Sequence, residues 1–158
     1  MKRKKVLEII NKEFQEINEN HKHINSGGCG IFAEFAYRSL SKVGLKPQLA
    51  ILTRRTEMDA KDVKKSLKNN ASALQVPFSH IVVVIGKKFI DSNGVQKNLS
   101  NTPFWNCVCV KGMDVELLKD WNKNKHNWND VFNRNQIPSI KKKIKAIEPK
   151  LIELLAAA

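Results

Sequence analysis

Asn25-Ser26-Gly27-Gly28-Cys29-Gly30-Ile31-Phe32-Ala33-Glu34-Phe35-Ala36 is a glycine-rich turn that runs directly into a helical apolar pattern, with a cysteine at the junction. Ile31, Phe32, Phe35, Ala36, Leu40 and Val43 recur at the spacing of a wide apolar helix face, and Gly44 ends the run. The pattern predicts a buried central helix from Gly30 to about Val43, with Cys29 at its mouth and Glu34 and Tyr37 on its rim. A thiol at a helix N-terminus faces the positive end of the macrodipole, which favours thiolate, and small neighbours let a carbonyl approach. By itself the motif is weak, because most lone cysteines are packing residues.

A second stretch adds weight. Ser79-His80-Ile81-Val82-Val83-Val84-Ile85-Gly86-Lys87-Lys88-Phe89-Ile90-Asp91-Ser92-Asn93-Gly94 reads as a β-hairpin, with a histidine opening one strand and an aspartate closing the next. If Gly86-Lys87 is a two-residue loop, Ile85 faces Lys88, Val82 faces Asp91 and His80 faces Asn93. His80 and Asp91 then share a face as diagonal neighbours, about 7–8 Å apart at the backbone. A loop one residue longer, without a bulge, sends them to opposite faces. The run Ile81–Ile85 is apolar on both faces, which predicts a central strand. Cysteine, histidine and carboxylate in this order supply a nucleophile, a base and a group that orients the base.

Composition sets the frame. The chain has 158 residues and is 42% hydrophobic, enough for one domain with a real core and no sign of disorder. No apolar run is long enough to cross a bilayer, and the basic start Lys2–Lys5 leads into an amphipathic segment instead of a secretory signal. Three cysteines at spacings that suggest no disulfide framework point to a reducing cytoplasm. Twenty-eight Lys and Arg against fifteen Asp and Glu give a net charge of +13, which attracts nucleic acid or other polyanions. The basic residues are scattered along the chain, however, and lysine-rich faces are often only solvated surface.

Residues 2–19 are expected to form a helix through Val6, Ile9, Ile10, Phe14 and Ile17. His21 and His23 follow on what reads as an exposed polar loop, and a metal site would need further ligands. Pro47–Thr53 reads as a strand, and Asp59 to about Lys68 as a helix capped by Asp59, with Val63 and Leu67 facing inward. Asn69 to Pro77 reads as loop, as does the chain beyond Gly94. Asn106–Lys111 is a further strand whose Cys107 and Cys109 project to one face as inert thiols. Asp114–Trp121 reads as a short helix, Asn122–Asn127 as a polar break, and Trp128–Arg134 as an apolar segment covering one end of the core. A last helix is expected from Pro138, kinked at Pro149.

Gly-Gly-Cys-Gly opening a helix, His-Ile-Val-Val-Val on a strand and Phe-Ile-Asp-Ser-Asn-Gly ending the next together resemble the papain-like cysteine peptidase superfamily. In its broad sense this also takes in transglutaminase-like and arylamine N-acetyltransferase-like enzymes. The likeness is greatest to small papain-like proteins of bacteria and phages, in which Trp-Asn-x-x-Phe-x-Arg follows, as at Trp128–Arg134. The resemblance covers about residues 25–94 and implies an α+β fold, in which a central helix carries the cysteine at its N-terminus and packs on an antiparallel sheet, with flanking helices. The chain as a whole is expected to form one papain-like domain over 1–158, with a core at about 25–112 and a helical extension at about 113–155. The resemblance matches Cys29 to the nucleophile, His80 to the base and Asp91 to the orienting residue. Papain places a glutamine upstream of its cysteine as oxyanion donor, whereas here Asn25 is the only amide side chain close upstream.

The resulting expectation is a cysteine hydrolase, a peptidase or amidase acting on a peptide or protein substrate, without metal or organic cofactor. Two alternatives stay open: an acyltransferase of the same fold, and a basic module that binds nucleic acid or an acidic protein. The sequence leaves the oligomeric state and the substrate unspecified.

Overall fold

The computed structural model describes residues 2–123 and 131–157. Helix α1 (Lys2–Asn20) comes first and turns Val6, Ile10, Phe14 and Ile17 into the core, the face its 3.6-residue spacing predicts. Helix α2 (Cys29–Lys42) follows and is the hub of the fold, with Ile31, Phe32, Ala33, Ala36 and Leu40 buried. The two meet where Phe14 and Phe32 stand edge to face, 4.9 Å between centroids at 85°, a pairing worth about 0.5–1.5 kcal/mol beyond the area it buries.

Strands β1 (Gln48–Arg54), β2 (His80–Ile85), β3 (Lys88–Asp91), β4 (Gly94–Gln96) and β5 (Cys107–Met113) form one antiparallel five-stranded sheet in the order β4-β3-β2-β1-β5. The fold is α+β, as expected. All six residues of β2 are buried, and β2 is the middle strand, as its two-sided apolar run requires. Helix α3 (Ala60–Lys68) lies between β1 and β2 in the chain, capped by the Asp59 carboxylate, which accepts from the Asp62 amide at 2.8 Å.

Two cores flank the sheet. The larger joins Leu49, Ile51, Ile81, Val83 and Ile90 to α1, α2 and the C-terminal helices. The smaller, on the other face, gathers Ala50, Leu52, Val82, Val84 and Cys107 under Phe89, Leu99 and Phe104. Cys107 is buried there, while Cys109 is only half-buried.

After β5 come α4 (Val115–Lys123), α5 (Ile137–Lys145) and α6 (Glu148–Ala156). Asp114 caps the start of α4 by accepting from the Glu116 amide at 2.7 Å. The last helix is not a single kinked rod: α5 ends at Lys145, and Pro149 sits in the first turn of α6, where its missing N–H costs nothing. Glu148 at that junction is buried. It accepts from Ser39 at 2.7 Å and pairs with Lys42 at 2.9 Å, pinning α6 to the end of α2. Burial opposes its ionisation, but Lys42 and Ser39 outweigh that and hold its carboxyl below the usual range.

Three other expectations are corrected. The chain beyond Gly94 is strand β4, not loop: a two-residue turn pairs Asp91 with Gly94, and Asn11 on α1 accepts the Val95 amide at 2.8 Å. His21 is buried, not exposed. Its Nδ1 meets the Ile17 carbonyl at 2.7 Å and its Nε2 the Ser139 hydroxyl at 2.9 Å, tying the end of α1 to α5. Glu34 is buried as well, for reasons that belong to the site. The polar break at Asn122–Asn127 and the tryptophan at 128 fall largely outside the described residues.

Candidate functional site

Cys29 is the first residue of α2, behind an N-cap glycine, Gly28, that offers no side-chain cap. The first amides of the helix therefore have no partner within it and point toward the turn that carries the sulfur. Gly28 is required there for space. A Cβ on it would lie 2.7 Å from the Phe132 ring and 3.0 Å from the Ile24 carbonyl oxygen. Phe132, buried in the segment after α4, thus closes against the cysteine turn from behind.

His80 arrives from the opposite direction, as the first residue of the central strand. The β2–β3 hairpin has the register that a two-residue Gly86-Lys87 loop dictates, with Ile85 opposite Lys88, Val84 opposite Phe89 and Val83 opposite Ile90. Gly86, at φ 61°, takes the first central position, where a type II′ turn needs glycine. His80 and Asp91 consequently share a face, and His80 Nε2 meets Asp91 Oδ2 at 2.8 Å. The other carboxylate oxygen, Oδ1, accepts the Asn93 amide at 2.8 Å, so Asp91 is held at both oxygens.

The turn behind Asp91 is itself braced by α1. Gln15 donates to the Asn93 carbonyl at 3.2 Å, and Ser92 donates to Asn18 at 3.0 Å. Asn11, Gln15 and Asn18 lie on one helical face, so a polar stripe on α1 fixes the carboxylate's loop. The amide spacing was visible in the sequence, but its partner strand was not.

The imidazole is fully buried, and the Phe104 ring lies parallel to it at 4.4 Å and 5°. Its second nitrogen, Nδ1, is buried and makes no hydrogen bond of its own. Cys29 is the other group that acts on the ring. Burial works against the charged ring, but the bond to Asp91 and the adjoining Cys29 sulfur outweigh it, and the pKa of His80 is pushed up to about 9. Burial pushes the thiols of Cys107 and Cys109 up.

A cleft of about 440 Å³ opens at Cys29. One wall is Asn25, Ser26 and Gly27, and the other is the segment Ala73–Ser79, which includes a short 3-10 turn at Ala73–Gln75. No charged side chain lines it, in a protein of net charge +13. Asn25 Oδ1 is buried there without a partner.

Sequence reasoning missed the polar cluster under the cysteine helix. Asn122, at the end of α4, donates to the Gly30 carbonyl at 3.1 Å and to Glu34 Oε1 at 2.9 Å. Arg38 bonds Glu34 Oε2 at 3.1 Å and reaches Glu116 at 3.2 Å, while Arg134 donates to the Asn122 carbonyl at 2.9 Å. Glu34 is therefore an anchor for the first turns of α2, buried because each of its carboxylate oxygens has a donor, Oε1 from Asn122 and Oε2 from Arg38. The i,i+4 pairing of Glu34 and Arg38 was legible as a signal. Asn122, nearly a hundred residues away in sequence, was not.

The structure thus joins His80 to Asp91 by a hydrogen bond, sets the Cys29 sulfur close enough to act on the His80 ring, and places Asn25 beside Cys29 on the wall of the cleft, which His80 and Asp91 do not line. Among the described residues there is no group of His, Cys, Asp or Glu able to hold a metal ion, and no helix is long and apolar enough to cross a membrane. No protein-family profile, curated protein or solved structure matches the chain.

Proposed function

We propose that the protein is a papain-like cysteine hydrolase that cleaves an amide or peptide bond through an acyl-enzyme. The observation that carries the reading is the division of labour at one ring: Nε2 of His80 is engaged by Asp91, which leaves Nδ1 for Cys29. An imidazole held at one nitrogen by a carboxylate and open to a thiol at the other can take the thiol's proton and later return it to a leaving group.

In this mechanism the Cys29 thiolate adds to the substrate carbonyl, and the C=O π electrons move to oxygen. The Cys29 backbone amide, free at the start of α2, and the Asn25 side chain receive that oxyanion. As the tetrahedral adduct collapses, the C–N bond breaks and the His80 imidazolium passes its proton to the departing amine. Neutral His80 then removes a proton from water, whose oxygen displaces the sulfur and restores the thiolate–imidazolium pair. Asp91 holds the ring's orientation and supports its charge throughout.

The test is turnover of a peptide library by the intact protein, followed by mass spectrometry for an acyl adduct. Cleavage that disappears in Cys29→Ala and His80→Ala, with the adduct mapped to Cys29, supports the reading. Full turnover by Cys29→Ala contradicts it.

A further inference from the structure

The end of the sheet opposite His80 carries a feature that the proposed chemistry does not use. A groove of about 860 Å³ runs between the start of α1 and the Gly86–Lys88 turn and continues along β4. Leu7 and Val95 form its apolar floor, and its rim holds Arg3, Lys4, Lys87, Lys88 and Lys97. The opposing charge in it is Glu8, which Lys4 approaches at 4.0 Å. Arg3, Lys87, Lys88 and Lys97 make no ion pair with the described residues. A second hollow sharing Arg3, Leu7 and Gly86 adds Lys2 and Lys46 above Val6, Leu45 and Ile85.

This charge placement is costly for the fold. The first turn of α1 contains no acidic residue and instead begins Lys2-Arg3-Lys4-Lys5, so cations sit at the positive end of the helix dipole. The Arg3 guanidinium also lies directly over Gly86, where a Cβ would collide with it. Such an arrangement is relieved by negative charge from outside the chain.

We infer that this groove binds an acidic, apolar-containing peptide segment of a partner protein. Carboxylates of the segment meet the rim cations, while its apolar side chains rest on Leu7 and Val95. Nucleic acid is disfavoured by the lining, which contains no aromatic ring on which a base could stack. A bilayer is disfavoured by shape. The apolar floor is recessed, and the exposed large hydrophobic residues Leu74, Trp105, Val131 and Ile152 all lie outside the groove. The groove is separate from the cysteine cleft: Gly86 lies six residue steps beyond His80 along β2, about 20 Å at about 3.3 Å per residue.

The test is fluorescence anisotropy with three probes: a labelled peptide alternating Glu with Leu, a single-stranded DNA oligonucleotide and vesicles containing phosphatidylserine. The full chain is compared with Lys87→Glu/Lys97→Glu, whose two side chains are exposed, and with Leu7→Asn. The peptide is expected to bind best of the three, to weaken about tenfold or more in the double charge reversal, and to weaken in Leu7→Asn as well. A polyglutamate of the same length should bind more weakly than the Glu/Leu peptide. Absence of peptide binding at low salt, tighter binding of DNA or vesicles, or peptide affinity indifferent to the charge reversal each overturns the inference. None of these readouts depends on turnover at Cys29, so its failure and that of the proposed hydrolase are distinguishable.

Discussion

The rings of His80 and Phe104 lie face to face, 4.4 Å apart and 5° from parallel. Phe104 comes from the segment before β5 and covers the imidazole on the side of the smaller core. Since the ring is held charged up to a pKa of about 9, the stack also places a cation over an aromatic face. Replacing Phe104 by Ala is expected to cost about 2 kcal/mol in urea unfolding and to let water reach the ring. NMR titration of the His80 imidazole should then show a changed pKa and a broader resonance. An unaltered titration would mean that the stack is incidental.

Asp91 sets the pH dependence of stability. His80 holds its proton to about 9 in the folded chain against an ordinary value of 6.5, so its stabilising contribution is whole below 6.5 and is lost as pH rises through 9. The full loss is on the order of 3 kcal/mol for this buried group. Asp91→Asn removes the main support of the charge, so unfolding midpoints measured from about pH 6 to about pH 9.5 should fall less steeply for the variant than for the parent. Parallel slopes would contradict the link.

Gly28 is expected to be intolerant of even a methyl group. With 2.7 Å between the new Cβ and the Phe132 ring, Gly28→Ala should lose about 1–3 kcal/mol and disturb the Cys29 turn. Because the φ of Gly28 is −105°, the cost is steric and not conformational. Gly28→Ala/Phe132→Leu should therefore recover part of it, and a double variant no more stable than the single one would show that the clash lies elsewhere.

Asn122 tests the brace beneath α2. Asn122→Ala removes the side-chain donor to the Gly30 carbonyl and leaves one oxygen of the buried Glu34 carboxylate without a donor, a loss of about 1–3 kcal/mol. Hydrogen exchange in the first turn of α2 should rise while that in α3 stays as it was. Uniform exchange across both helices would reduce the contact to general packing.

What could be read from the chain itself follows from the range of the forces involved. The α2 pattern, the Asp59 cap and the Gly86-Lys87 register are local, set by spacing and turn chemistry, and from that register the shared face of His80 and Asp91 follows by counting. Strand β4 was missed because three residues carry little periodicity and are held by side chains of α1. His21 and Glu34 were assigned to the surface because polar residues usually lie there. Each is buried through partners more than eighty residues away, Ser139 and Asn122, which no local pattern announces.

The central claim is that Cys29 and His80 form one reacting pair, and its most direct measurement is the rate of iodoacetamide alkylation of each cysteine across pH, resolved by mass spectrometry. The account predicts that Cys29 reacts at mildly acidic pH, well ahead of Cys107 and Cys109, and that His80→Ala removes the difference. A Cys29 that reacts no faster than the two β5 thiols, or whose rate is untouched by loss of the imidazole, would contradict it.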